Sequence, residues 1–210
     1  MEIYKNINAV LNSIDRLEVR GRDSAGISLM FVLDCQEYQK LQTTLTQAGL
    51  LEDFNKRIQQ NILVNLSIRV AQIDCNNQSA PVALTFTYKI AAEIGSLGDS
   101  IAFLRNQIKH DRILHILIKC QHRYHTVSSH TRWASVGAIN EPNCHPVDNL
   151  TSPECSASGT IHACLNGDID NYLQLKQNLE KHGSQIPEDI TTDTKIIPLQ
   201  IEYYIQKGHT

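Results

Sequence analysis

Arg132 and Trp133 stand side by side in the run His130-Thr131-Arg132-Trp133-Ala134-Ser135-Val136-Gly137, and Trp133 is the only tryptophan in the 210 residues. A guanidinium presents its donors as a planar fork that grips a carboxylate with two parallel hydrogen bonds, and an adjacent indole offers an aromatic wall. The pair therefore suits recognition of a small carboxylate. A tryptophan kept for packing beside a solvated arginine fits the same residue types, and both readings stand at this point. Cys120, His122 and His125 bring three potential metal ligands into six residues. No second pair at ligand spacing follows, so polar side chains along a strand explain them better than a metal site. At a bend bracketed by Gly21 and Gly26, Asp23 can pair with Arg20 or Arg22, as in any surface turn.

The elements that must position these residues follow from periodicity. Residues 2–15 place Ile3, Ile7, Val10, Leu11 and Ile14 on one helical face. Residues 27–33 read as a buried strand, 36–60 as helix with a break at Gly49, and 99–109 as helix. Residues 62–70 and 81–90 read as two strands separated by a turn over 75–79, whereas 112–118 is apolar and ambiguous. Tyr124-His125-Thr126-Val127-Ser128 is rich in β-branched and aromatic residues, which puts Arg132 at the end of a strand. Residues 159–165 read as a strand running into the turn dipeptide Asn166-Gly167. An amphipathic helix is expected over 168–181, with Ile169, Tyr172, Leu173, Leu175 and Leu179 apolar and Gly183 as its stop. Thr192 or Asp193 caps a last helix with Ile197, Ile201, Tyr204 and Ile205 on its apolar face. Pro198 kinks that helix or makes it start later.

Composition bounds the function. Hydrophobic residues make up 41% and charged residues 20%, as in an ordinary globular protein, and the net charge is −3. That charge offers no electrostatic case for nucleic acid or an anionic membrane. No run of 18 apolar residues marks a membrane span, and the first residues lack the apolar core of a signal peptide. Six scattered cysteines without CxxC spacing read as reduced thiols of a cytoplasmic protein.

Four stretches, in order, resemble the class II (N-terminal-nucleophile) glutamine amidotransferases, and best the glutaminase domain of the glucosamine-6-phosphate synthases. The run 130–137 is similar to that family's HTRWATHG. Arg16-Leu17-Glu18-Val19-Arg20-Gly21-Arg22-Asp23-Ser24-Ala25-Gly26 resembles RLEYRGYDSAG. Leu165-Asn166-Gly167-Asp168-Ile169-Asp170-Asn171 resembles HNGIIEN, and Thr191-Thr192-Asp193-Thr194 resembles ETDT. The tryptophan and the RLE…RG form favour the sugar-phosphate branch over the purine, asparagine and glutamate synthase branches.

The resemblance implies roles. Arg132 holds the α-carboxylate of glutamine and Asp193 its α-ammonium, with Trp133, Ser135 and His145 as neighbours. Asn166 and the N–H of Gly167 form the oxyanion hole of amide hydrolysis, and Arg20 helps order the active site. Ser135 keeps a hydroxyl where the family has Thr; Val136 replaces a His, so any contact through that imidazole is gone. The family's nucleophile is a cysteine at the N-terminus of a first strand, and this chain begins inside the helix that follows it. Without that nucleophile, and without sugar isomerase domains to bind fructose-6-phosphate, the expectation is an inactive fragment truncated at both ends. Residues 1–210 would be an incomplete glutamine amidotransferase type-2 domain, with 34–122 inserted within it as a subdomain. The implied fold is α+β, a partial α/β/β/α sandwich of the Ntn-hydrolase type. No cofactor is implied; the partners would be L-glutamine, fructose-6-phosphate through the missing domains, and a second subunit in the complete enzyme. The alternative is a degenerate amidotransferase fold that binds glutamine or a partner subunit without turnover.

Overall fold

The computed structural model describes residues 2–17, 19, 21, 23–72, 80–91, 96–133, 137–151 and 159–209. The chain opens with α1 (Glu2–Leu17), whose Ile3, Ile7, Leu11 and Ile14 recur on one side and are buried. Glu2 in its first turn and Arg16 in its last match the helix dipole. In β1 (Ser24–Leu33) the residues alternate: Ala25, Ile27, Leu29, Phe31 and Leu33 enter the main core, while Ser24 and Ser28 take the opposite face.

Then come α2 (Cys35–Gln47), α3 (Leu51–Ile58), β2 (Ile68–Gln72), β3 (Val82–Ala91), α4 (Asp99–His110), α5 (Arg112–Leu117) and β4 (Tyr124–Arg132). The four strands form one antiparallel sheet in the order β2-β3-β1-β4. Leu41 and Leu45 of α2, Phe54 of α3, and Ile101, Leu104 and Ile108 of α4 join α1 in the core over the apolar face. The α5 helix, left open by periodicity, is capped by Asp111, whose Oδ1 accepts from the N–H groups of Ile113 (3.0 Å) and Leu114 (3.1 Å).

The other face of the sheet is polar yet buried: Ser28, Arg69, Thr85, Thr87 and Lys89 all lie on it. The stretch after β4 crosses this face, and the strands β5 (Val147–Asp148) and β6 (His162–Ala163) pair there in a small second sheet. Helices α6 (Tyr172–Lys181) and α7 (Ile196–Gln206) follow; they share a minor core of Leu179, Ile196 and Leu199, and α7 packs on β5 and β6. The protein is therefore α+β, with helices and an antiparallel sheet. Among the described residues, no helix is long and apolar enough to cross a membrane.

Several expectations are corrected. Residues 62–70 are not one strand: Leu66 takes φ 65°, so β2 starts only at Ile68. The turn expected over 75–79 lies outside the described residues. Only His162–Ala163 of 159–165 is strand, and α6 begins at Tyr172 with Leu173 exposed. The last helix starts late, at Ile196, so Pro198 sits in its first turn, where no intrahelical partner awaits an N–H. Its buried side is Ile196, Pro198, Leu199 and Glu202; Ile201, Tyr204 and Ile205 are exposed. Residues 34–122 supply two of the four strands and α2 through α5, and their side chains share the core of α1 and β1.

Candidate functional site

β4 delivers Arg132 to the end of the sheet, where its Cα is in register with Ser24 of β1. The backbone N–H of Asp23 donates to the Arg132 carbonyl at 3.2 Å. Gly21 lies so close that a Cβ there would stand 2.9 Å from the Arg132 nitrogen. Gly26 is tighter still, since a Cβ would overlap the His145 carbonyl oxygen. The glycines of the Arg-Gly…Ser-Ala-Gly stretch thus let the chain press against Arg132 and His145.

Around Arg132 opens a cavity of about 540 Å³. Leu17, His130, Arg132, Trp133 and His145 line it together with Asn166, Gly167, Asp168, Asp193 and Thr194. Six of the eight residues singled out in the sequence, Arg132, Trp133, His145, Asn166, Gly167 and Asp193, share this one cavity. Arg20 and Ser135 lie outside the described residues. Trp133 is 71% exposed, which removes packing as the reason for an indole there.

Charge in the cavity is divided. Arg132 is buried, and burial pulls its guanidinium below its ordinary value; the acidic groups Cys144, Asp193 and Asp23 pull the other way. His145 is pushed down to about 3, first by burial and then by His130, Arg132 and Lys89, so its ring is neutral. Burial, with Arg132 beside it, lowers His130 as well. The two imidazoles lie 4.8 Å apart, and His145 Nε2 sits 3.4 Å from the Thr192 hydroxyl. The positive charge among these three groups therefore rests on Arg132, which feels the Asp193 carboxylate in the same cavity.

Asp193 does not cap α7. Its Oδ2 accepts the Ile169 N–H at 2.7 Å, which ties it to the turn that carries Asn166 and Gly167. Gly167 has φ 151°, a conformation that glycine allows, and both turn residues are exposed at the cavity. A neighbour that sequence reasoning missed secures the Asp193 corner. Asn143 is fully buried, and its side-chain oxygen accepts from the N–H groups of Thr191 (2.7 Å) and Thr192 (2.8 Å). Its amide nitrogen donates to Asn140 Oδ1 (2.6 Å) and to the Asp189 carbonyl (3.1 Å). In the sequence it stands two residues before His145 with nothing else to mark it; its partners lie 48 and 49 positions on.

Two of the described thiols, Cys144 and Cys164, are poor nucleophiles. Cys144 is fully buried, donates to the Ala25 carbonyl at 3.0 Å, and is raised by burial. Burial pushes Cys164 up to about 11. No cysteine is among the described residues that line the cavity. His122 and His125 flank Phe31 as ring contacts, and among the described residues no three His, Cys, Asp or Glu side chains converge on one point.

Fold and cavity define an α+β protein with a cleft that sets an arginine against a carboxylate beside an Asn-Gly turn. Comparison with known proteins adds relatives. The isomerizing glutamine–fructose-6-phosphate aminotransferase of Methanothermobacter thermautotrophicus is 38% identical over 80 residues, 38% of this chain and 12% of its own length. The enzyme of the same name from Clostridium tetani is 37% identical over 75 residues, 36% of this chain and 11% of that one. That from Thermus thermophilus is 37% identical over 73 residues, 35% and 11% of the two chains. The matched stretch thus spans about 12% of the length of these relatives. No family model matches. A dimeric ferredoxin-like protein from an uncultured marine organism is 14% identical with a TM-score of 0.24, over 51% of this chain and 92% of its own, a likeness too slight to argue from.

Proposed function

We propose that this chain carries the glutamine-recognition half of a class II glutamine amidotransferase site of the glucosamine-6-phosphate synthase kind. The observation that carries the reading is the meeting of Arg132, Asp193, Asn166 and Gly167 in one cavity, drawn from segments far apart in the sequence. Arg132 grips the α-carboxylate and Asp193 the α-ammonium, opposite charges suited to the head of an amino acid. The side-chain carbonyl then points to Asn166 Nδ2 and the Gly167 N–H, which stabilise the oxyanion that forms when a thiolate attacks the amide. Each such donor is worth ~2.7–4 kcal/mol in the transition state. In the parent enzyme the released ammonia passes to fructose-6-phosphate.

The layering supports this reading: helices, the four-stranded sheet, the two-stranded β5–β6 sheet and α7 succeed one another, as in a partial α/β/β/α sandwich. A second reading, binding without turnover, is favoured by the lack of a thiol among the described residues lining the cavity. Calorimetric titration with L-glutamine tests the recognition half. Saturable heat that Arg132→Ala abolishes is expected; no heat, or equal heat from both proteins, sinks it. Glutamate release during the same incubation separates turnover from binding alone.

A further inference from the structure

Three buried charged side chains form a chain of contacts behind the Asp193 corner. Asp148 of β5 is 1% exposed, Arg69 of β2 3% and Lys195 1%. Arg69 Nε donates to Asp148 Oδ2 at 2.8 Å. Lys195 Nζ donates to Asp148 Oδ1 at 3.1 Å and to the carbonyls of Asp148 and Leu150, both at 2.6 Å. Lys195 ends the 3-10 turn Asp193–Lys195, two residues after the carboxylate that faces the cavity. Arg69 comes from the opposite side, within the stretch 34–122 that has no counterpart in the resemblance.

Charges this deep are retained only where each has well-placed partners, and removal of one leaves the others uncompensated. Asp148 is the shared partner of both cations. Neighbouring groups favour its charged form: it is held down to about 2 by Lys195 and Arg69, although burial alone would raise it. A site residue keeps its geometry when the residues behind it are themselves locked. On one flank Asn143 fixes the N–H groups of Thr191 and Thr192; on the other Lys195 fixes the end of the same turn.

We infer that Arg69 is a positioning residue for the glutamine cavity, acting through Asp148 and Lys195 on the turn that presents Asp193. The stretch 34–122 thereby has a role in the site besides its share of the core. This inference rests on the glutamine reading for its functional consequence but not for its structural one.

The test is Arg69→Met in the full chain, with Arg69→Lys as the conservative variant, read by amide hydrogen exchange and by glutamine titration. Exchange is expected to rise selectively across 190–196 and at Ile169, while α1 and β1 stay protected. Glutamine affinity is expected to fall about tenfold, as for loss of a charged hydrogen-bond partner, and Arg69→Lys to restore most of it. Should Arg69→Met fail to fold, Lys195→Met, which leaves the Arg69–Asp148 pair in place, is expected to give the same selective exchange. Folded Arg69→Met with unchanged exchange at 190–196 overturns the inference, as does unchanged exchange in Lys195→Met where that variant must stand in. Selective exchange in a protein whose wild type binds no glutamine upholds the positioning and rejects the glutamine reading instead.

Discussion

The Asp193 carboxylate accepts the backbone N–H of Ile169 at 2.7 Å, and so joins the start of the last helical stretch to the turn that bears Asn166 and Gly167. One oxygen builds the turn, and the carboxylate as a whole still places a negative charge at the cavity, which Asp168 also lines.

That double duty separates two substitutions. Asp193→Asn keeps an oxygen for the Ile169 N–H but removes the charge, so glutamine affinity is expected to fall by about 1.5–3 kcal/mol while the denaturation midpoint moves little. Asp193→Ala loses the acceptor as well and is expected to lower both. Titration calorimetry and urea unfolding on the two variants check this; equal affinities for wild type and Asp193→Asn would count against the ammonium role.

Gly26 presses on the His145 carbonyl, and a single added methyl has nowhere to go. Gly26→Ala is expected to destabilise the protein by about 1–3 kcal/mol, the usual cost of forced overpacking. Thermal unfolding reads the effect. Gly49→Ala meets no neighbour and serves as the contrast, with only the strain of its φ of 68° to bear.

Leu173 and Leu179 lie on the same helix and are equally apolar, but only Leu179 is buried. Leu179→Ala is expected to cost ~2–5 kcal/mol, and Leu173→Ala to stay within about 0.5 kcal/mol. Similar midpoints in urea for the two variants would contradict the packing of α6 against α7.

Two histidines with buried ring nitrogens, His145 and His162, set an acid limit. Burial is the main cause that lowers His145 to about 3 and His162 to about 4, both below the 6.5 of a free imidazole. Between these values and pH 6.5 the unfolded chain binds protons that the folded chain does not. Stability is therefore full above about pH 6.5 and falls as the pH drops, by up to about 1.4 kcal/mol per unit for each histidine. The loss from His162 is complete near pH 4 and that from His145 near pH 3. Asp148, held down to about 2 against a free value of 3.8, adds its own loss only between those two values. Urea midpoints at pH 7, 6 and 5 check the sign, and His162→Asn is expected to flatten the slope.

Cys144 is fully buried and Cys35 is partly exposed. Brief alkylation of the native protein is expected to label Cys35 and spare Cys144, with denaturant abolishing the difference. Mass spectrometry of the digested protein reads the sites; early labelling of Cys144 would reopen it as a nucleophile.

Much of this protein is written in local pattern. The spacing of Ile3, Ile7, Leu11 and Ile14 fixes α1, and the alternation from Ala25 to Leu33 fixes β1, because helix and strand periods are properties of a few consecutive residues. Three of the four motif stretches hold Arg132, Trp133, Asn166, Gly167 and Asp193, the resemblance adds His145 as their neighbour, and all six line one cavity. Tertiary structure decided what depends on distant partners. Ile201 and Ile205 are as apolar as Ile196 and Leu199, and only packing on α6 and the β5–β6 strands selects which of them are buried. Asp193 looks like a helix cap until the Ile169 N–H, 24 positions away, takes its oxygen. The Arg69–Asp148–Lys195 chain spans separations of 79 and 47 residues, and no local pattern encodes a charge pair at that range. Such pairs arise when the sheet brings its polar face against β5, where burial makes each ionic partner matter.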